Sequence, residues 1–205
     1  CNRLIRLINN FIDSTKLENN KVEIHKKRVN IVSITEDITM SVINFAKRQK
    51  IDVVFDAEQE ELYCDIDIDQ MERIMLNILS NAIKYNKPNG NIDVIVKDRK
   101  EKVYIDVIDS GIGIPKDRIN TIFDRFERME NKNAVIKEGS GIGLSIVKKL
   151  VDALDGEINI ESEVDKGTTV RLIFKKSKNQ NGIEEVYDIS QHLEEKVNLE
   201  MSDIS

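Results

Sequence analysis

The chain has 205 residues, 40% of them hydrophobic and 33% charged, with a formal net charge of -6; this allows one ordinary domain plus extra segments and a packed core rather than wholesale disorder. The acidic balance argues against a nucleic-acid partner, which needs a basic face. No apolar run approaches the roughly 18 residues of a membrane-spanning helix, no signal peptide is read, and two cysteines, Cys1 and Cys64, offer neither a disulfide framework nor metal-ligand spacing, which fits a reducing compartment.

Residues 1–18, CNRLIRLINNFIDSTKLE, place Leu4, Leu7 or Ile8, Phe11 and Ile12 at helical spacing, so a helix with one apolar face is expected. The chain opens at Cys1 inside this helix, as expected of a piece of a longer protein. A helix this short needs a partner helix or a second copy to pack on. Residues 19–27 read as a linker, with a polar break at Asn19–Lys21, and a strand is expected over 28–33. Ser33 or Thr35 would cap a helix to about Lys50, with Ile38, Val42, Ile43 and Phe45 or Ala46 inward. IDVVFD (51–56) and LYCDI (62–66) read as two strands around an acidic turn. Met71, Ile74, Met75, Ile78, Leu79 and Ala82 mark a long helix from Asp67 to Tyr85. KPNGN (87–91) is turn chemistry. IDVIVKD and KVYIDVID then form a hairpin through Arg99–Glu101.

The loop DSGIGIP (109–115) precedes a helix expected over Lys116–Met129. ENKNAVIKE (130–138) is polar and irregular. The cluster GSGIG (139–143) leads into the helix LSIVKKLVDAL, ended by Gly156, and EINIES and TTVRLIF form a last hairpin through EVDKG. Residues 176–205 turn polar and acidic, and read either as a helix over 184–195 with an edge strand or as disorder. The order of elements implies an α+β fold, a two-layer sandwich in which a mixed, mostly antiparallel sheet carries helices on one face.

Three segments carry chemistry. Paired glycines let backbone approach a ligand closely and turn N–H groups toward phosphate, and the second pair opens a helix whose first amides favour an anion. Taken singly, either glycine cluster is also explained by a tight turn; neither has the Lys-Ser/Thr of a Walker loop, and NKNAVIKE before Gly139 is not the buried strand of a dinucleotide fingerprint. In NILSNAIKY (77–85), Asn77 and Asn81 lie on one helix face, with Lys84 and Tyr85 one turn on. Asparagine is a poor helix-interior residue, so two amides beside a cation suit a metal ion and phosphates; a solvated polar face is the plainer alternative.

Together these segments resemble the catalytic and ATP-binding domain of two-component sensor histidine kinases, of the fold shared with gyrase, heat-shock chaperones and mismatch-repair ATPases. NILSNAIKY resembles the family's N box, DSGIGIP and GSGIGLSIVKKL its two glycine boxes, FDRFER (123–128) its phenylalanine box, and DKGTTVRL (165–172) its closing strand motif. The resemblance covers about residues 28–175. NNFIDSTKLENNKVEI resembles the end of the second helix of the dimerisation and phosphoacceptor domain with its join to the catalytic domain.

By this resemblance ATP binds between the helices and a lid formed by residues 130–138. Asp109 accepts a hydrogen bond from the adenine amine, and Gly111, Gly113 and Ile114 lie against the base. Guanine has an acceptor where adenine has that donor, so such a site discriminates by up to ~10⁴. Asn81 coordinates Mg²⁺, with Asn77 beside it on metal or phosphate; Lys84 reaches phosphate and Tyr85 and Phe123 line the base or ribose. Gly139, Gly141, Gly143 and Leu144 wrap the phosphates. Arg125 or Arg128 neutralises the γ-phosphate or meets the partner domain, and Thr168 sits near adenine. In hydrolytic relatives the first N-box position is a carboxylate that activates water; here it is Asn77, and an amide cannot take that proton. The expected reaction is therefore transfer of the γ-phosphate, by Asn77, Lys84 and Arg128, to a histidine on a phosphoacceptor helix, for onward transfer to a response-regulator aspartate. His25 and His192 lack the expected context, so the fragment is not expected to phosphorylate itself. The full-length protein is expected to be a homodimer at the inner face of the cell membrane, although soluble members exist, and the fragment a monomer or weakly self-associating. An anti-sigma-type serine kinase of the same fold and a non-catalytic nucleotide-binding module are the alternatives.

Overall fold

The computed structural model describes residues 23–119, 121–123, 143–178 and 190–204. The expectations for the helix over 1–18, for Arg125, Arg128, Gly139 and Gly141, and for the lid over 130–138 fall outside those residues.

Strand β1 (Lys27–Asn30) gives way at once to helix α1 (Ile31–Arg48). The cap is Asn30, not Ser33 or Thr35. Its Oδ1 accepts from the Val32 amide at 3.1 Å and from the Leu62 amide at 3.2 Å, so one side chain both starts the helix and holds a distant segment. Thr35 and Thr39 lie inside the helix, their hydroxyls donating back to the carbonyls of Ile31 and Thr35. Buried faces of α1 carry Ile34, Ile38, Val42 and Ala46, whereas Ile43 and Phe45 are only half-buried.

β2 (Asp52–Ala57) and β3 (Tyr63–Ile66) are both present but do not pair with each other. β2 runs parallel to β4 (Asn91–Arg99), and β3 pairs antiparallel with β1. The connection between them, Glu58–Leu62, lacks the Asn-Gly chemistry of a tight hairpin, and it carries the chain from one sheet to the other. Helix α2 (Ile68–Lys84) follows, capped by Asp67, whose carboxylate accepts from the amides of Gln70 and His25. β4 and β5 (Lys102–Asp109) form the expected hairpin. The described residues of 116–123 form turns, with three-residue bonds from Arg118 to Pro115 and from Thr121 to Arg118 and one four-residue bond from Ile122 to Arg118.

α3 (Gly143–Ala153) is followed by the hairpin of β6 (Glu157–Glu163) and β7 (Gly167–Lys175). The left-handed residue after α3 is Asp155, at φ 58°, rather than Gly156. Gly156 answers a different need: a Cβ there would stand 2.6 Å from the Phe174 ring. Beyond β7 a single bridge joins Lys176 to Cys64, and the described residues of the tail hold no edge strand. The tail helix α4 spans Ser190–Glu200, later than the sequence suggests, and lies against α1 and α2. It buries Leu193, Val197 and, just past its end, Met201 at four-residue spacing. Lys196 bridges Asp69 and the buried Glu72 of α2.

The main sheet has the order β2-β4-β5-β7-β6, antiparallel except at β2–β4. Alternation turns Ile92, Val94 and Val96, then Val103, Ile105 and Val107, then Val170, Leu172 and Phe174 toward the helices, and all are buried. The sandwich of a mixed, mostly antiparallel sheet and a helical layer is thus as expected. On the opposite face Asp106 is also buried, held by Arg171 at 2.6 and 2.8 Å and Lys97 at 2.8 Å. Burial pushes its carboxyl up, but these two cations outweigh that and leave it below the usual range.

Candidate active site

The inner face of the sheet is apolar along its length and turns polar at one end. Three neighbouring strands change at the same level. On β5 the inward series Val103, Ile105, Val107 ends in Asp109; on β7 Thr168 precedes Val170 and Leu172; on β6 Ser162 follows Ile158 and Ile160. The register places Asp109 opposite Thr168, and Thr168 opposite Ser162. Three strands thus deliver one row of a carboxylate and two hydroxyls, at the edge of the core and at the start of the first glycine loop.

Asp109 Oδ1 accepts from the amides of Gly111 at 2.8 Å and Thr168 at 3.3 Å. Oδ2 has no hydrogen-bond partner among the described residues. Burial pushes the carboxyl above its ordinary value, and the two amides only partly oppose it. The loop is pinned on both sides. The Ile112 amide donates to the Tyr85 carbonyl at 3.1 Å, and the Ile112 carbonyl accepts from the Asp165 amide at 2.9 Å. Ile114 donates its amide to Ser162 Oγ at 2.8 Å. Gly113 takes φ 67°, and a Cβ there would run into the carbonyl of Glu163.

The other wall is α2. Asn77 is buried, its Nδ2 donating to the Arg73 carbonyl at 3.2 Å. Its Oδ1 faces Gly143 at the first turn of α3, so closely that a Cβ on Gly143 would collide with it. Asn81 is half-buried one turn later, Lys84 is buried, and the Lys84 ammonium lies 5.4 Å from the ring centre of Tyr85. Tyr85 ends the helix, and its carbonyl belongs to the glycine loop's hydrogen bonding. Leu144 and Phe123 are half-buried, Phe123 against the core. The structure therefore brings Asn77 to Gly143, and the Tyr85 carbonyl to Gly111 and Ile112 of the loop that follows Asp109, along one helix. His25 is exposed, its ring 3.7 Å from Glu23.

Motif reading did not single out Asn86, Ser110 and Ser162. Asn86 is buried and donates to the Asn91 carbonyl, while Ser110 Oγ donates to Asn86 Oδ1 at 3.2 Å and accepts from the Asn91 amide at 2.9 Å. This ties the turn after α2 to the loop after β5. The one available signal was alternation: a hydroxyl at Ser162 in series with two inward isoleucines.

The arrangement offers a lone carboxylate oxygen for a ligand's N–H donor at one end. At the other it offers amide oxygens, a buried ammonium and a helix start. Among the described residues no group of three acidic, His or Cys side chains is placed to hold a metal ion. Amide oxygens are hard ligands of the kind Mg²⁺ takes together with phosphate and water, so the donor set fits that ion.

Comparison with known proteins adds three findings. Residues 66–178 match the family described as histidine kinase-, DNA gyrase B-, and HSP90-like ATPase. Sensor histidine kinase WalK of Bacillus subtilis (strain 168) is 32% identical over 170 residues, which is 82% of this chain and 28% of WalK. This chain therefore spans under a third of that relative. Among solved structures, the catalytic domain of histidine kinase ThkA matches with a TM-score of 0.64 at 24% identity, over 74% of this chain and 96% of that one. Full-length ShkA in complex with AMPPNP matches with a TM-score of 0.78 at 20% identity, over 88% and 37% respectively. At such identities the two structures speak for the fold. Among the described residues no helix is long and apolar enough to cross a membrane.

Proposed function

Because this chain belongs to the family of histidine kinase-, DNA gyrase B- and HSP90-like ATPases, we propose that it is the ATP-binding catalytic domain of a sensor histidine kinase. The observation that carries the reading is the row at the polar end of the sheet, where Asp109 keeps one oxygen without a partner among the described residues, beside Thr168 and at the end of the helix that bears Asn77 and Asn81. Asp109 accepts from the exocyclic amine of adenine, and the loop from Gly111 to Ile114 lies against the base. Tyr85 and Phe123 flank the base or ribose. Lys84 binds phosphate, as do Gly143 and Leu144 at the start of α3 and Gly139 and Gly141 before them in the sequence. Asn81, with Asn77 beside it, holds Mg²⁺, which when bound neutralises charge on the phosphates. Arg125 or Arg128 supplies further positive charge to the γ-phosphate.

Asn77 decides the fate of that phosphate. Its amide lacks a basic lone pair with which to deprotonate water, so hydrolysis is slow. The acceptor is a neutral imidazole, whose ring nitrogen attacks the γ-phosphorus in line as the bond to the ADP oxygen breaks; positioning and charge neutralisation carry the catalysis. That histidine sits on a phosphoacceptor helix outside this chain, in a homodimeric full-length kinase that passes the phosphoryl group to a response regulator.

The test supplies ATP, Mg²⁺ and a separate phosphoacceptor domain from a sensor histidine kinase. Acid-labile phosphate is expected on that domain and none on this chain. Phosphate on His25 or His192, or release of inorganic phosphate without transfer, contradicts the proposal.

A further inference from the structure

The hydroxyl of Ser162 is saturated. It lies 2.8 Å from the carbonyl of Gly167, 2.8 Å from the amide of Ile114 and 2.9 Å from Thr168 Oγ1. A serine hydroxyl has one proton and two lone pairs. A carbonyl can only accept, so the Ser162 proton goes to Gly167. An amide can only donate, so Ile114 takes one lone pair. The remaining lone pair faces Thr168, which must then be the donor of that bond.

This has two consequences at the adenine end. Thr168 has its one proton committed to Ser162, so its hydroxyl offers the site acceptor lone pairs only. Its neighbour in the row, Asp109, likewise offers only an acceptor. The second consequence is mechanical. Ser162 anchors the Ile114 end of the glycine loop to β6, while the Ile112 carbonyl is held by Asp165 on the turn between β6 and β7.

We infer that Ser162 is a positioning and specificity-determining residue of the nucleotide site, fixing the glycine loop through Ile114 and fixing Thr168 as an acceptor toward the base. The inference rests on the adenine reading given above. It predicts rejection of a base that presents a carbonyl in place of the amine. With both row members locked as acceptors, that carbonyl meets two lone-pair surfaces and finds no donor. Removing the Ser162 hydroxyl frees the Thr168 proton to rotate toward the ligand and relaxes the discrimination. It also leaves the Ile114 amide without its partner, so the loop spends less time in the binding-competent form, and affinity falls by that population factor.

The experiment is calorimetric titration of ADP and of inosine diphosphate, in which a carbonyl replaces the amine and the adjacent ring nitrogen carries a proton, into the wild-type chain, Ser162→Ala and Ser162→Thr. Hydrogen exchange at the Ile114 amide is followed in parallel. Ser162→Ala is expected to bind ADP about tenfold more weakly and to narrow the preference for ADP over inosine diphosphate by a similar factor. The Ile114 amide should exchange faster, while amides of the β4–β5 ladder are unchanged. Ser162→Thr keeps the hydroxyl and should restore both affinity and preference. Unchanged affinity and preference in Ser162→Ala overturns the inference. So does an equal loss for both nucleotides that threonine does not rescue, which is what general destabilisation produces. A wild-type chain with no preference for ADP overturns the adenine reading itself.

Discussion

Asp109 concentrates the chemistry of the site in one carboxyl, and its burial makes a pH prediction. As an acceptor for an N–H donor it works best ionised, and burial raises it above its ordinary value of 3.8. Affinity for ADP should therefore fall as pH drops through that raised value, and Asp109→Asn should bind more weakly and lose this pH dependence. Calorimetry across the acidic range checks both. The effect on stability has the opposite sense. The native state takes the proton more readily than the unfolded chain, so this group favours folding below its ordinary value, and the contribution is lost as pH rises through the raised one. In the proposed site Asn81 serves the other end of the ligand. Asn81→Ala should leave ADP binding without metal nearly unchanged and reduce the strengthening by Mg²⁺ by about tenfold, or ~1.4 kcal/mol; equal losses with and without Mg²⁺ would place Asn81 elsewhere. Asp109, Asn77 and Asn81 stand out in the sequence as candidates because each lies in a short motif with its own spacing. Ser162, Asn86 and Ser110 do not, because each has a partner on a segment that only the folded chain brings near. Ser162 and Ile114, for example, are 48 positions apart.

At the level of elements, strands of period two and the amphipathic α2 were readable from pattern alone, down to the inward series that ends in Asp109. Three features were not. Asn30 caps α1 because its amide also meets the Leu62 backbone, which no local signal reveals. The partners of β2 and β3 depend on a crossover through α2, not on the turn between them. The tail helix α4 has only 11 residues, below the ~12–15 at which an isolated helix persists, and so depends on docking. It also lies beyond residue 178, where the family match ends. Leu193, Val197 and Met201 supply the docked face, Glu200 lies 3.4 Å from Ser80 Oγ on the helix of Asn77 and Asn81, and Lys196 pairs with the buried Glu72. Val197→Asp should undock it. The thermal midpoint is expected to drop by at least about 2 °C, near 1 kcal/mol for a chain of this size. An unchanged midpoint would mean that α4 adds nothing to the stability of α1 and α2.

Over the whole molecule, one long helix, α2, links the two halves of the site. Its middle faces the start of α3 through Asn77 and Gly143, and its end feeds the glycine loop through the Tyr85 carbonyl. The sheet supplies the polar row opposite, and the far face of the sheet is closed by the Asp106, Arg171 and Lys97 cluster, away from the ligand. On the proposed reading, such a molecule binds and orients a nucleotide and leaves the phosphate acceptor to another segment. The most direct test of that account is equilibrium binding of ADP and GDP to the wild-type chain and to Asp109→Asn. The account predicts selective binding of ADP, strengthened by Mg²⁺ when ATP replaces it, and lost or reduced at least tenfold in Asp109→Asn. Equal binding of ADP and GDP, or selectivity that survives Asp109→Asn, would contradict it.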